Sequence, residues 1–181
     1  MDASSILTTL LSSKSVSGIS KAADASSADV TNILAAAVPS LLKGAQKQTS
    51  GSNASGFVQA LADHAGDNTS NVTTFLKGVD LSDGAKIVSH LLTGTEQKAI
   101  AKKAGTSAST TSSVLAAAAP LFMSLLGQQT SGSSASAIGS LLSGLASNGN
   151  LTSLLGSLLG SSSGGKTGAG GLASGLLGLL K

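Results

Sequence analysis

The chain has 181 residues, of which 41% are hydrophobic, but its aromatic side chains are three phenylalanines without Trp or Tyr. It contains no cysteine, which excludes disulfides and thiolate metal sites. The formal net charge is +3, far from a polybasic surface, although residues 97–181 carry five lysines and no acidic side chain. With so few rings, stability must come from many small aliphatic contacts between helices.

The chain matches itself without a gap when it is shifted by 81 positions, so that Leu34 aligns with Leu115 and Gln48 with Gln129. A repeat of this length defines the unit of folding. We therefore predict two tandem, pseudo-symmetric helical repeats, residues 1–81 and 82–159. Each repeat alone would bury only about 60–65% of its chain surface and would be marginally stable, so we expect the two to share one core.

Apolar residues recur at helical spacing and no stretch alternates with period two, so the predicted fold class is all-α. In the first repeat we predict helices at residues 6–11 and 16–23, a long helix from Ser26 or Ser27 to about Lys47, a helix capped by Ser52 whose apolar face is Phe57, Leu61 and Ala65, and one at 72–76. Their counterparts are 87–92, 100–104, a helix from Ser107 or Ser109 to about Gln128, one capped by Ser133, and 151–159. Glycines are expected at helix ends: Gly44, Gly51, Gly66, Gly78, Gly94, Gly105 and Gly149.

Each long helix has a proline in its middle, Pro39 or Pro120. A proline there removes one backbone hydrogen bond and favours a kink. Residues 33–42 and 114–126 are apolar nearly all round, which is typical of buried helices. We expect these two helices to pack against each other at the centre of the bundle.

Residues 83–94 contain Gly84, Ile87 and His90, and a helix with Ala119 and Pro120 follows. This order resembles the YidB-like bacterial family of unknown function over about residues 83–130 and, through the repeat, 1–50. The resemblance implies an all-helical bacterial domain with no established activity. The first repeat departs from the pattern, since Thr9 stands where His90 would fall.

Residues 160–167 match the phosphate-loop pattern GxxxxGK[ST]. Phosphoryl transfer also needs a preceding strand and a downstream acid for magnesium. A leucine-rich helical pattern precedes this stretch instead, and the last acid in the chain is Glu96. We interpret residues 160–171 as a Gly/Ser-rich linker.

Residues 98–115 look like the helix-turn-helix of bacterial repressors. Lys98, Lys102 and Lys103 could bind phosphates, but the second helix offers short hydroxyls and no Arg, Asn or Gln at the reading positions. A helix-turn-helix-like nucleic-acid-binding protein is therefore one alternative function.

The two histidines are His64 and His90. Asp63 and Asp67 flank His64, but this spacing gives at most two metal ligands. The sequence suggests no Ser-His-Asp set and no paired carboxylates. We predict a non-enzyme without catalytic residues, cofactor, metal site or small-molecule substrate.

Residues 172–181 predict a short amphipathic helix whose leucines are the candidate assembly residues: Leu172, Leu176, Leu177, Leu179 and Leu180. As a helix it would span about 15 Å, too short to cross a bilayer and too short to be stable alone. It needs an apolar groove on its own copy, on a neighbouring copy or on a lipid surface. The leading prediction is a structural or interaction protein that self-associates through this helix into a closed oligomer or filament.

A peripheral membrane protein that uses residues 151–159 and 172–181 is the second alternative. Residues 1–5 lack the basic region of a signal peptide and no run approaches a membrane span, so we predict a cytoplasmic location by default. Leaderless export remains open.

Overall fold

The structure is a computed structural model, which describes residues 3–147 and the side chains of residues 5–144. Over these residues the fold is all-α, as predicted, with nine helices and no strand. The helices are α1 (Ala3–Leu10), α2 (Ser13–Ala23), α3 (Ser27–Gln48), α4 (Ala54–Ala65), α5 (Val72–Lys77), α6 (Leu81–Leu91), α7 (Gly94–Ala104), α8 (Ala108–Thr130) and α9 (Ala135–Ser147).

Side-chain caps determine where the two long helices begin. The Ser26 hydroxyl accepts a hydrogen bond from the Asp29 amide at 3.0 Å, and the Ser107 hydroxyl accepts one from the Thr110 amide at 3.0 Å. Each cap satisfies one of the amides that the first helical turn leaves without a partner. Both caps are among those predicted from the sequence.

The predicted caps Ser52 and Ser133 are wrong by one residue. Asn53 precedes α4 and makes no side-chain cap hydrogen bond. Ser134 precedes α9, and its hydroxyl accepts from the Ala137 amide at 3.4 Å. Several neighbouring short polar residues can cap a helix equally well, so composition alone does not select one of them.

The helix boundaries follow a common spacing in the two halves of the chain. Helices α2, α3 and α4 begin at residues 13, 27 and 54, and α7, α8 and α9 begin at 94, 108 and 135, each 81 residues later. Helices α2 and α7 each end at a residue in the left-handed conformation. This residue is Asp24, with φ 50°, after α2 and Gly105, with φ 69°, after α7. Three helix starts and one type of helix end are thus shared by the two halves.

The described helices form one compact unit in which the two halves interleave. Helix α8 packs on α6 and also on α4 and α2 from the first half, while α3 packs on α7 and α9 from the second half. Helices α3 and α8 touch, but each contacts those other neighbours more extensively. The expectation that the two long helices pack against each other is met only by this smaller contact, so they are not each other's main partners.

Close backbone approaches explain this arrangement. A Cβ atom on Gly84 of α6 would overlap the carbonyl oxygen of Ala116 in α8, and one on Gly127 of α8 would overlap the carbonyl oxygen of Leu61 in α4. Only glycine permits backbones to come this close. Glycines therefore determine which helices lie against α8.

Helix α8 is the core of the bundle. Residues 114–127 are all buried, including Pro120, whereas Pro39 of α3 is exposed. Both helices continue through their prolines. The carbonyl of Ala116 would normally accept from the amide of residue 120, which proline lacks. This carbonyl is the one that faces Gly84.

Helix α8 is also the one described helix that is long and apolar enough to cross a membrane, and 83% of its apolar window is buried inside the protein. A fully buried core helix has the same apolar composition as a membrane span. The described part of the chain therefore has no clear transmembrane segment.

Candidate binding groove

An open groove lies between the N-terminal half of α4 and the C-terminal end of α6, with a volume of about 530 Å³. This volume falls in the range of ligand pockets, roughly 300–1,000 Å³. The lining residues come from α3, the loop that follows it, α4, α6 and α8: Gln48, Ser52, Asn53, Ser55, Gly56, Phe57, Ala60, Ile87, His90, Leu91 and Met123.

The floor of the groove is apolar. Phe57, Leu91 and Met123 are 8%, 5% and 2% exposed, and Ile87 is half-buried. Methionine adapts its shape to what packs against it, because its side chain is unbranched and flexible. The floor is therefore suited to aliphatic side chains of more than one shape.

The rim of the groove is polar but carries no Lys, Asp or Glu. The Gln48 side-chain amide donates to the carbonyl oxygen of His90 at 2.7 Å, which ties the end of α3 to the end of α6. The His90 side chain itself is exposed. A rim without Lys, Asp or Glu over an apolar floor favours an uncharged ligand, since a buried charge without a partner is costly.

Two glycine contacts fix the wall that α6 contributes. Gly84 lies against α8, and a Cβ on Gly44 of α3 would overlap the carbonyl oxygen of Leu91. Three residues advance a helix by about 300°, which leaves each residue about 60° from the one three positions earlier. Gly84, Ile87 and His90 are therefore placed in steps from the α8 side of α6 towards the groove. Of the residues that carry the sequence resemblance, Gly84 thus packs against α8, while Ile87 and His90 line the groove. Gly44, predicted at a helix end, is instead inside α3.

A polar cluster around Asp67 ties the loop after α4 to α8. The buried Ser124 hydroxyl donates its hydrogen to Asp67 Oδ2 at 2.6 Å and to the Pro120 carbonyl at 2.8 Å. His64 Nδ1 lies 3.0 Å from the same Asp67 oxygen. The Gln128 side-chain amide donates to the Asp67 carbonyl at 2.8 Å.

Ser124, Asp67 and His64 thus lie together, which the sequence did not indicate. The carboxylate stands between the serine and the histidine, so this arrangement lacks the bond from nucleophile to base that serine catalysis requires. Asp63, the other acid considered beside His64, accepts instead from Gln59 at 2.9 Å. The geometry is that of a structural tie between the α4–α5 loop and the core.

The predicted nucleic-acid residues Lys98, Lys102 and Lys103 are exposed on α7. Glu96 of the same helix has its pKa lowered, first by its hydrogen bonds with Thr93 and also by nearby positive charges. These charges are Lys47 and Lys43 of α3, against which α7 packs. Lys43 and Lys47 therefore lie near Glu96, whereas Lys98 and Lys102 are placed roughly 160° and 120° away from Glu96 around α7, at about 100° per residue.

The first turns of α8, which would be the recognition helix, carry short hydroxyl and alanine side chains, and burial begins at Val114. This helix has no long polar side chain in its exposed part. Base readout in a major groove needs such side chains. The exposed lysines of α7 are therefore suited to phosphate contacts rather than to sequence recognition.

The remaining predicted functional segments lie outside the described residues. They are the linker 160–171, the leucine-rich stretch 151–159 and the five candidate assembly residues: Leu172, Leu176, Leu177, Leu179 and Leu180.

Fold and groove together define a small α-helical bundle protein with an open groove over an apolar floor. The model of a family described as "Bacterial protein of unknown function (DUF937)" matches residues 5–129, more than half of the chain, and the chain belongs to this family. The expected bacterial family of unknown function is thereby confirmed, while the narrower YidB-like assignment stays a prediction. No curated protein and no solved structure matches the chain.

Proposed function

We propose that this protein is a non-enzymatic structural or interaction protein that self-associates through its C-terminal segment, residues 172–181. The observation that carries this proposal is the contrast between a closed bundle and a leucine-rich end. In the described part, Leu81 is the one large hydrophobic side chain that is exposed, at 38%. The last 31 residues nevertheless contain ten leucines.

Leucine side chains are stabilised by about 1.5–3 kcal/mol each when they leave water. The described helices already cover their own core, so they do not need these leucines for closure. A segment of about ten residues with two glycines is not a stable helix alone. These arguments support burial of the segment against an apolar surface, and the groove between α4 and α6 of a second copy is the candidate for that surface.

Deletion of residues 160–181 tests the proposal. We expect the full chain to form particles well above its monomer mass of 17.3 kDa and the shortened chain to be a monomer, since the apolar contact is lost. Light scattering after size exclusion measures both masses. A full-length variant with glutamine at the five candidate leucines separates loss of contact from loss of length. An unchanged mass in both variants contradicts the proposal.

Nucleic-acid binding is the second candidate function, and the three exposed lysines of α7 favour it. Replacement of Lys98, Lys102 and Lys103 by glutamine should weaken binding of duplex DNA and reduce the slope of log affinity against log salt by about 2.7, because three phosphate contacts are lost. A gel shift over a salt series measures this. Glutamine at the exposed Lys14, Lys21 and Lys77 is the charge-matched control. Absence of any shift at low salt rules out this candidate.

Peripheral membrane association and a cytoplasmic location stay predictions. The segments that would bind lipid, residues 151–159 and 172–181, lie outside the described residues. Flotation of the full chain with anionic vesicles tests the first of these.

A further inference from the structure

We infer that the groove between α4 and α6 is the receptor for the leucine-rich segment 172–180 of a second copy of this chain. The inference rests on the proposed self-association and specifies its binding site. An exchange of this kind is heterologous, because a groove on one copy meets a different surface on the next. Such contacts produce rings if the rotation closes and filaments if it does not.

The chemistry of the two surfaces matches. The floor of the groove consists of Phe57, Ile87, Leu91 and Met123, and the groove lining has no Lys, Asp or Glu. Residues 167–180 likewise carry no charged side chain, and their large apolar residues are all leucine. A neutral aliphatic segment therefore enters this groove without leaving a charge buried and unpaired.

The size of the groove and the length of the chain are also compatible with this occupant. A volume of about 530 Å³ accommodates several aliphatic side chains. The preceding Gly/Ser-rich stretch, residues 160–171, has the composition of a flexible linker with a root-mean-square span of about 17–21 Å for its 12 residues.

The chain offers a substitution that fills the groove without disturbing the core. Gly56 is exposed within α4, lines the groove, and has open space where a Cβ would be. Leucine there projects into the groove and competes with the incoming segment, while its helix propensity is better than that of glycine. Gly144 of α9 is also an exposed helical glycine with open space and does not line the groove.

The test compares full-length Gly56→Leu and Gly144→Leu with the parent chain by sedimentation velocity over a concentration series. We expect Gly56→Leu to raise the dissociation constant for self-association at least tenfold and Gly144→Leu to leave it within about twofold. Parent-like assembly of Gly56→Leu overturns the groove assignment alone and leaves the proposed function in place. A parent chain that stays monomeric at every concentration overturns both. Circular dichroism verifies that both variants are folded.

Cysteine crosslinking provides a second measurement that does not depend on filling the groove. The chain has no native cysteine, so there is no background. Full-length Ser55→Cys, at the groove, is mixed with full-length, size-tagged Ser174→Cys and mildly oxidised. We expect a covalent heterodimer, and we expect much less product with Ser17→Cys, an exposed α2 position, in place of Ser55→Cys. Equal yields from Ser55→Cys and Ser17→Cys overturn the inference. So does a double variant, with Ser55→Cys and Ser174→Cys in one chain, that forms its disulfide only within that chain.

Discussion

Replacement of Gly84 by alanine is expected to lower the free energy of unfolding by about 3 kcal/mol, the upper end of the range for overpacking. The added Cβ would overlap the backbone carbonyl of Ala116, and backbone on both sides cannot give way as a flexible side chain does. A loss of this size is a large fraction of the stability of an ordinary domain, about 5–15 kcal/mol. Urea unfolding followed by circular dichroism measures it.

Exchange of glycine for alanine at Gly56 should raise the free energy of unfolding instead of lowering it. At Gly56, where a Cβ meets open space, alanine is expected to raise the free energy of unfolding by up to about 1 kcal/mol through helix propensity. The pair of variants separates crowding from propensity, because both exchange glycine for alanine inside a helix. If Gly84→Ala is as stable as the parent, α6 does not approach α8 as closely as the structure has it.

Replacement of Phe122 by alanine is expected to lower the free energy of unfolding by about 3–5 kcal/mol. Phe122 lies in α8, is 1% exposed and is one of three aromatic residues in the chain. Its removal leaves a cavity beside the helix against which α2, α4 and α6 pack.

Phe75→Ala is the matched control, because Phe75 is half-buried in the short helix α5. Its cost should be clearly smaller, since water can reach part of the vacated space. Thermal and urea unfolding of both variants measure the difference. A loss below about 1 kcal/mol for Phe122→Ala would mean that α8 is not the core of the bundle.

The sequence predicts the helices well because their signals are local. The Ser26 and Ser107 caps and the apolar run of α8 can each be read from a window of a few residues. The same holds for α5, which was predicted at residues 72–76 and is found at Val72–Lys77. Pro39 and Pro120 do not end their helices, so burial and tertiary contacts outweigh the local cost of proline.

The arrangement of those helices is not local and was predicted less well. Gly44 was predicted at a helix end, but it lies where the carbonyl of Leu91, more than forty residues away in the chain, packs against α3. A side chain at this position would overlap that carbonyl. The hydrogen bond between Asp67 and Ser124 spans 57 residues, and neither side chain signals the other. The groove is built from α4 and α6, which are not consecutive in the chain, so periodicity within either helix could not reveal it.

The motif that carries the family resemblance gains a physical interpretation from this arrangement. Pro120 leaves the carbonyl of Ala116 without its usual donor, and Gly84 lets a second backbone come against that carbonyl. The glycine and the proline are thus two sides of one contact. Ile87 and His90, further along α6, are left to line the groove.

Interleaving has a consequence for synthesis on the ribosome. The apolar face of α4, with Phe57 and Leu61, is covered by α8, which is complete only at Thr130. Between Ala65 and Thr130 a growing polypeptide adds 65 residues, which takes about 3–13 s at roughly 5–20 residues per second. During that interval the nascent first half displays apolar surface that only its own later residues can cover, and we expect holdase chaperones to bind it.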